Sequence, residues 1–122
     1  MTQTPEQVAD SLAEAREYIE ENGWGQLQMV AEDGSVCSMG AIVMSAGAKQ
    51  RLSGYQDPVV LPAVVALARA IGSRSTLDSL EQGIAVGVVV GWNDHVARDQ
   101  QQVLDMFAKA EKITRAGYDP DA

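Results

Sequence analysis

Apolar residues at Val8, Leu12, Ala15 and Ile19 recur every three or four positions, while Glu6, Asp10, Glu14, Glu17 and Glu21 fall on the opposite side. That period predicts a first helix with one buried face and one solvated, acidic face. Its limits are written locally. Thr4 caps it, Pro5 suits the first helical position, Gln7 completes a capping box, and Gly23 ends it after Asn22.

From Gln26 the period changes. Leu27 and Met29 alternate with Gln26 and Gln28 ahead of the turn signal Glu32-Asp33-Gly34-Ser35, which predicts a short β-hairpin between 26 and 36. A second helix is predicted from Ser38 through Ala46, with Met39, Ile42 and Val43 on one face and Gly47 as its end; Ala48 to Leu52 continue or restart it. Asp57-Pro58 resembles a cap, but Pro62 would then remove a backbone donor inside the helix, so the cleaner start is Pro62, with Ala63 to Ile71 helical and Gly72 as terminator. A loop over Ser73 to Thr76 and a short helix around Leu77 to Gln82 follow. Between Ile84 and Gly91 two signals compete: the β-branched residues favour a buried strand, and glycines at 83, 87 and 91 keep a helical four-residue period. The strand is preferred, which puts Trp92-Asn93-Asp94 in the loop leaving it. Asp99 and Gln102 cap a last helix over Gln100 to Ala116, with Val103, Phe107, Ala110 and Ile113 inward and Leu104 beside them. Tyr118 to Ala122 form a polar tail.

The fold class expected is therefore α+β, mostly α: a compact single domain over residues 1–122 with four or five helices and a small β element, residues 1–4 and 118–122 being flexible ends. A chain of 122 residues suits one domain, able to bury roughly two-thirds of its unfolded surface. Five Met against a single Phe make the core aliphatic.

Charge narrows the partners. With 17 acidic and 9 basic side chains the net charge is −8, a poor match for nucleic-acid phosphates or anionic membranes. Residues 5–22 hold six acids and only Arg16 as a base. The plain reading is a solvated helix face; the sharper one is an acidic docking surface at Glu14 and Glu17 for a basic partner. The longest apolar run, Ile84 to Gly91, is far short of the roughly 20 residues that cross a bilayer. One cysteine cannot form an internal disulfide, and the N-terminus has no secretory pattern, so a cytoplasmic protein is expected.

Candidate chemistry is confined to a few positions. Cys37 precedes a helix start, where unpaired amides and the positive dipole end lower a thiol pKa. His95 is the only imidazole, and Asn93 or Asp94 could orient it, the order a cysteine nucleophile of acyl transfer requires. Against this, free cysteine is often simply buried, and a histidine among charged neighbours is commonly solvated or a cap. One His and one Cys lack the partners of a zinc site, so no metal and no cofactor are expected. The 83/87/91 glycines carry no lysine and are not a phosphate loop; close backbone packing is their plain reading. Asn93 and Asp94 are read as capping the next turn and pinning Trp92 into the core, with a recognition loop as the alternative.

Several of these pieces together resemble a family of small uncharacterised proteins from actinobacteria and their phages. The resemblance rests on Glu21-Asn22-Gly23-Trp24, on Gly34 leading to Cys37-x-x-Gly40-Ala41, on Trp92-Asn93-Asp94, and on the closing helix from Val103-Leu104 to Ala110. It runs from Leu12 to Ile113 in order, with no shared pattern between Gly47 and Val90. It implies a shared scaffold and a pocket or interface at Trp24, Cys37 and Trp92 to Asp94, and brings no activity. His95 lies outside it, which weakens the Cys-His reading.

The function expected is that of a small cytoplasmic interaction protein acting by protein binding or self-association. A cysteine-dependent acyl-transfer or hydrolytic enzyme using Cys37 and a small-ligand carrier built on Trp24 and Trp92 are the alternatives.

Overall fold

The capping box forms as the sequence predicts. Thr4 Oγ1 accepts from Gln7 N–H at 3.2 Å and Thr4 N–H donates to Gln7 Oε1 at 2.9 Å, opening α1 (Pro5–Asn22). Gly23 closes it, with a left-handed φ of +94° and its N–H on Ile19 O at 2.7 Å. The computed structural model describes residues 4–46, 60–72 and 82–117. After α1 come α2 (Ser38–Ser45), α3 (Leu61–Ile71), α4 (Gln82–His95) and α5 (Gln100–Arg115). The architecture is mostly α, and the described residues contain no sheet.

Three of these helices sit where local signals put them. Cys37 is the N-cap of α2, Gly72 closes α3, and Asp99 caps α5 by accepting from Gln102 N–H at 2.8 Å. The predicted continuation over Ala48 to Leu52, the Asp57-Pro58 cap, the Ser73 to Thr76 loop and the Tyr118 to Ala122 tail lie outside the described residues. So does the short helix around Leu77, apart from Gln82, which opens α4.

Two expectations are corrected. The segment from Ile84 to Val90 is helical, so Trp92, Asn93, Asp94 and His95 lie in the last turns of α4 instead of a loop. As a helix this stretch turns Ala85, Val89, Trp92 and Asn93 to one buried side, packed on α3 and α2. It satisfies its own backbone, which a lone strand could not do. The hairpin over 26–36 is likewise absent: only isolated bridges join Trp24 to Val36 and Val30 to Val36. Residues 26–29 bend across the fold, Gln26 and Leu27 finding polar partners at the end of α4 and just beyond it, and the Met29 carbonyl at Cys37. A smaller correction concerns α5, where Ile113 is exposed and Thr114 is buried in its place, as a 4-3-4 spacing from Val103 requires.

The core gathers Leu12 and Ile19 of α1, Met39 and Ile42 of α2, Val64 and Leu67 of α3, Val89 of α4 and Phe107 of α5, all essentially inaccessible. α1 packs most extensively on α5 and α2, and α3 on α4 and α5. Outside that apolar seam, Arg115 holds Glu6 at 3.0 Å, Asp10 at 2.8 Å and Glu111 at 3.0 Å, and Arg16 holds Glu111 at 3.0 Å. Part of the acidic face of α1 is thus spent on α5, while Glu14 and Glu17 stay exposed to solvent.

Candidate functional site

Asn93 is completely buried in the last turn of α4. Burial of an amide is tolerable only when its donors and acceptors are matched, and here both ends are. Its Oδ1 accepts from Trp24 Nε1–H at 2.8 Å, Ser38 N–H at 2.9 Å and the Ser38 hydroxyl at 2.7 Å. Its Nδ2 donates to Gly25 O at 3.2 Å and Asp94 Oδ1 at 2.9 Å. One side chain thereby ties the segment after α1, the first turn of α2 and the end of α4 together. The local capping role expected of Asn93 and Asp94 is replaced by bonds to residues 67–69 and 55 positions earlier in the chain.

Gln26 extends the same knot. Its Nε2 lies 3.0 Å from Asn93 O, 3.3 Å from Asp94 O and 3.2 Å from Ala97 O, supplying donors to carbonyls that a helix end leaves without intrahelical partners. Asp94 Oδ1 in turn accepts from Leu27 N–H at 2.9 Å. Clamped on both sides, Leu27 adopts φ +73°, and among the described residues no other non-glycine residue has a positive φ. Its side chain is 76% exposed, with Met29 and Val30 also exposed beside it.

The reason for Gly40 lies in this loop. Met29 O accepts from Cys37 N–H at 3.2 Å as it passes over the start of α2, and a Cβ at Gly40 would overlap that carbonyl. The Cys37-x-x-Gly40 spacing is therefore a crossing point: the Cys37 Sγ accepts from Gly40 N–H at 3.4 Å and the loop backbone lies against the glycine.

Beside the crossing is an open hollow of about 160 Å³, lined by Leu27, Gln28, Met29, Cys37, Met39, Val90 and Asp94. Neither Trp24 nor Trp92 lines it. Trp92 packs in the core, and the Trp24 indole N–H is held by Asn93. Cys37 is buried, and burial pushes its thiol up, overcoming the downward pull of the Gly40 and Met39 amides, with the Asp94 charge adding to the rise. The lowering expected from a helix start is outweighed by desolvation. His95 is exposed at the end of α4, is absent from the hollow's lining, and its side chain makes no hydrogen bond among the described residues. The structure does not assemble Cys37, His95 and an orienting group into one constellation.

The residues that sequence reasoning missed are Ser38, Gln26, Leu27 and Met29. Ser38 carried a faint signal as the first residue of a helix; the others carried none, since glutamines and apolar residues in alternation read equally well as a strand. Among the described residues no group of three or more His, Cys, Asp or Glu side chains could hold a metal ion, and no helix is long and apolar enough to cross a membrane.

These features define a class: a small, mostly helical protein organised on a buried asparagine that presents an apolar loop. The chain belongs to the family of unknown function DUF6197, whose model matches residues 3–113. No curated protein and no solved structure matches it.

Proposed function

We propose that this protein works by binding another protein through the face made by residues 26–30 and the outer side of α4. The observation that carries the reading is Leu27. A left-handed backbone costs an ordinary L-residue about 1–2 kcal/mol, and a side chain 76% exposed contributes almost nothing to the core in return. Asparagine or glycine would satisfy the same backbone more cheaply. An exposed leucine kept at such a position, with Met29, Val30 and Val90 exposed nearby, is what a recognition surface needs and a stable monomer does not.

Further support comes from α4. Its outer side runs Ile84, Gly87 and Val90, exposed, with Gly91 and Asp94 half-buried, and a Cβ at Gly87 or Gly91 would meet no described residue within 4 Å. Close packing against the described residues therefore does not account for those glycines. The setting is read as cytoplasmic, on the single buried free thiol, and as actinobacterial or phage on the motif resemblance.

The test compares wild type with Leu27→Asn in affinity capture from the producing cells, alongside a thermal melt. The variant keeps its fold and loses the captured protein. Capture of the same proteins at the same yield by both forms would sink the reading.

A further inference from the structure

Resting on that docking face, we infer that its occupant is a segment of a partner protein that brings a cationic side chain flanked by apolar residues, with the cation lodged against Asp94. The hollow's walls are apolar at Leu27, Met29, Met39 and Val90, and among the described residues lining it Asp94 is the one acidic or basic side chain other than the Cys37 thiol. Asp94 Oδ1 is engaged by Leu27 N–H and Asn93 Nδ2, whereas Oδ2 receives no hydrogen bond from any described residue.

Covering such a carboxylate with a purely apolar surface strips its water and returns nothing, while a cation converts the same burial into a charge-assisted pair. The net charge of −8 favours encounter with a positive partner and opposes a second copy, which brings the same sign to the same place. Gly87 and Gly91 leave the backbone of α4 open alongside Val90, so a segment can lie close against the helix while its cation reaches the hollow.

The experiment measures anisotropy of three labelled peptides at physiological salt: one of leucines with a central arginine pair, the same peptide with glutamines in place of the arginines, and one with glutamates there. The full chain is tested as wild type, Asp94→Asn, Gln28→Lys, Leu27→Asn and the double variant Glu14→Gln/Glu17→Gln. Asp94→Asn keeps an Oδ1 acceptor while removing the charge. Gln28→Lys places a cation in the hollow from an exposed position and spares the fold even if Asp94→Asn does not.

The arginine peptide binds wild type and weakens by about tenfold or more in Asp94→Asn and Gln28→Lys, the loss of one desolvated charge pair. It weakens likewise in Leu27→Asn and is unchanged in Glu14→Gln/Glu17→Gln. Loss confined to the Glu14/Glu17 variant would overturn the proposal in favour of the acidic face of α1. Equal binding of the glutamine peptide, still sensitive to Leu27→Asn, would overturn the cationic partner and leave the docking face standing. Leu27-dependent dimerisation in light scattering, with no peptide bound, would replace the partner by a second copy. Binding of no peptide together with Leu27-independent capture from cells would end both readings.

Discussion

Replacing Asn93 with alanine tests the knot directly. The substitution leaves the Ser38 N–H and hydroxyl, both fully buried, without their acceptor, along with the half-buried Trp24 Nε1–H. A buried donor left unmatched costs ~1–3 kcal/mol. The Ser38 hydroxyl can rotate and the Trp24 N–H lies near enough to solvent to recover part of its loss, so the full sum is not reached. The Ser38 amide is fixed at the first turn of α2 and recovers nothing. Taken together the variant loses ~3–4 kcal/mol, a large share of the ~6–18 kcal/mol that a chain of this length commands. In melting temperature that is a fall of ~9–16 °C, at ~3–4 °C per kcal/mol for this size. Urea unfolding followed by circular dichroism provides the free energies, with Ser38→Ala and the double variant completing a cycle. Ser38→Ala alone costs ~1–2 kcal/mol. The double variant costs less than the two singles together by ~1 kcal/mol or more, because the hydroxyl orphaned by one change is absent in the other. An Asn93→Ala loss below ~1 kcal/mol, the range of ordinary surface substitutions, would refute the argument that this amide organises the fold.

Gly40→Ala forces a Cβ into the Met29 carbonyl, a backbone atom that cannot swing aside; the expected loss is ~2–3 kcal/mol, measured by urea unfolding, and a neutral result would deny the crossing. Gly87→Ala and Gly91→Ala meet no described residue and each raise the stability of the isolated chain by up to ~1 kcal/mol through helix propensity, while weakening partner capture; destabilisation in a melt would mean that the glycines serve packing within the chain. The Cys37 thiol, pushed up by burial, contributes stability that is fully present below the ~8.5 of a free thiol and falls as pH rises through the folded value. Wild type therefore loses stability above that pH more steeply than Cys37→Ser. Alkylation of folded protein at pH 7.5 as fast as in urea would contradict it.

Much of the helical framework was legible because its signals are local. Thr4, Pro5 and Gln7 lie within one turn, as do Asp99 and Gln102, and Gly72 ends α3 one residue after Ile71 as Gly23 ends α1 one turn after Ile19. The buried stripe of α1 follows from period alone. The helix start at Cys37 and Ser38 was legible too, whereas of the residues the motif resemblance grouped together, Trp92 went to the core and Trp24 and Asn93 to a mutual hydrogen bond.

Tertiary structure decided the rest. Ile84 to Val90 has the local preferences of a strand, and what makes it helical is a buried side against α3 and α2 and the absence, among the described residues, of any strand to receive its backbone. Gln26 to Met29 alternates like a hairpin, yet the Gln26 side chain and the Leu27 N–H are claimed by Asn93, Asp94 and Ala97, 67 to 71 residues away. Period and capping encode only what lies within a few residues along one element. The acceptor that gathers Trp24 and Ser38, and the clamp that turns Leu27 outward, exist only once distant segments have packed, because each is held by hydrogen bonds between groups that no sequence spacing relates.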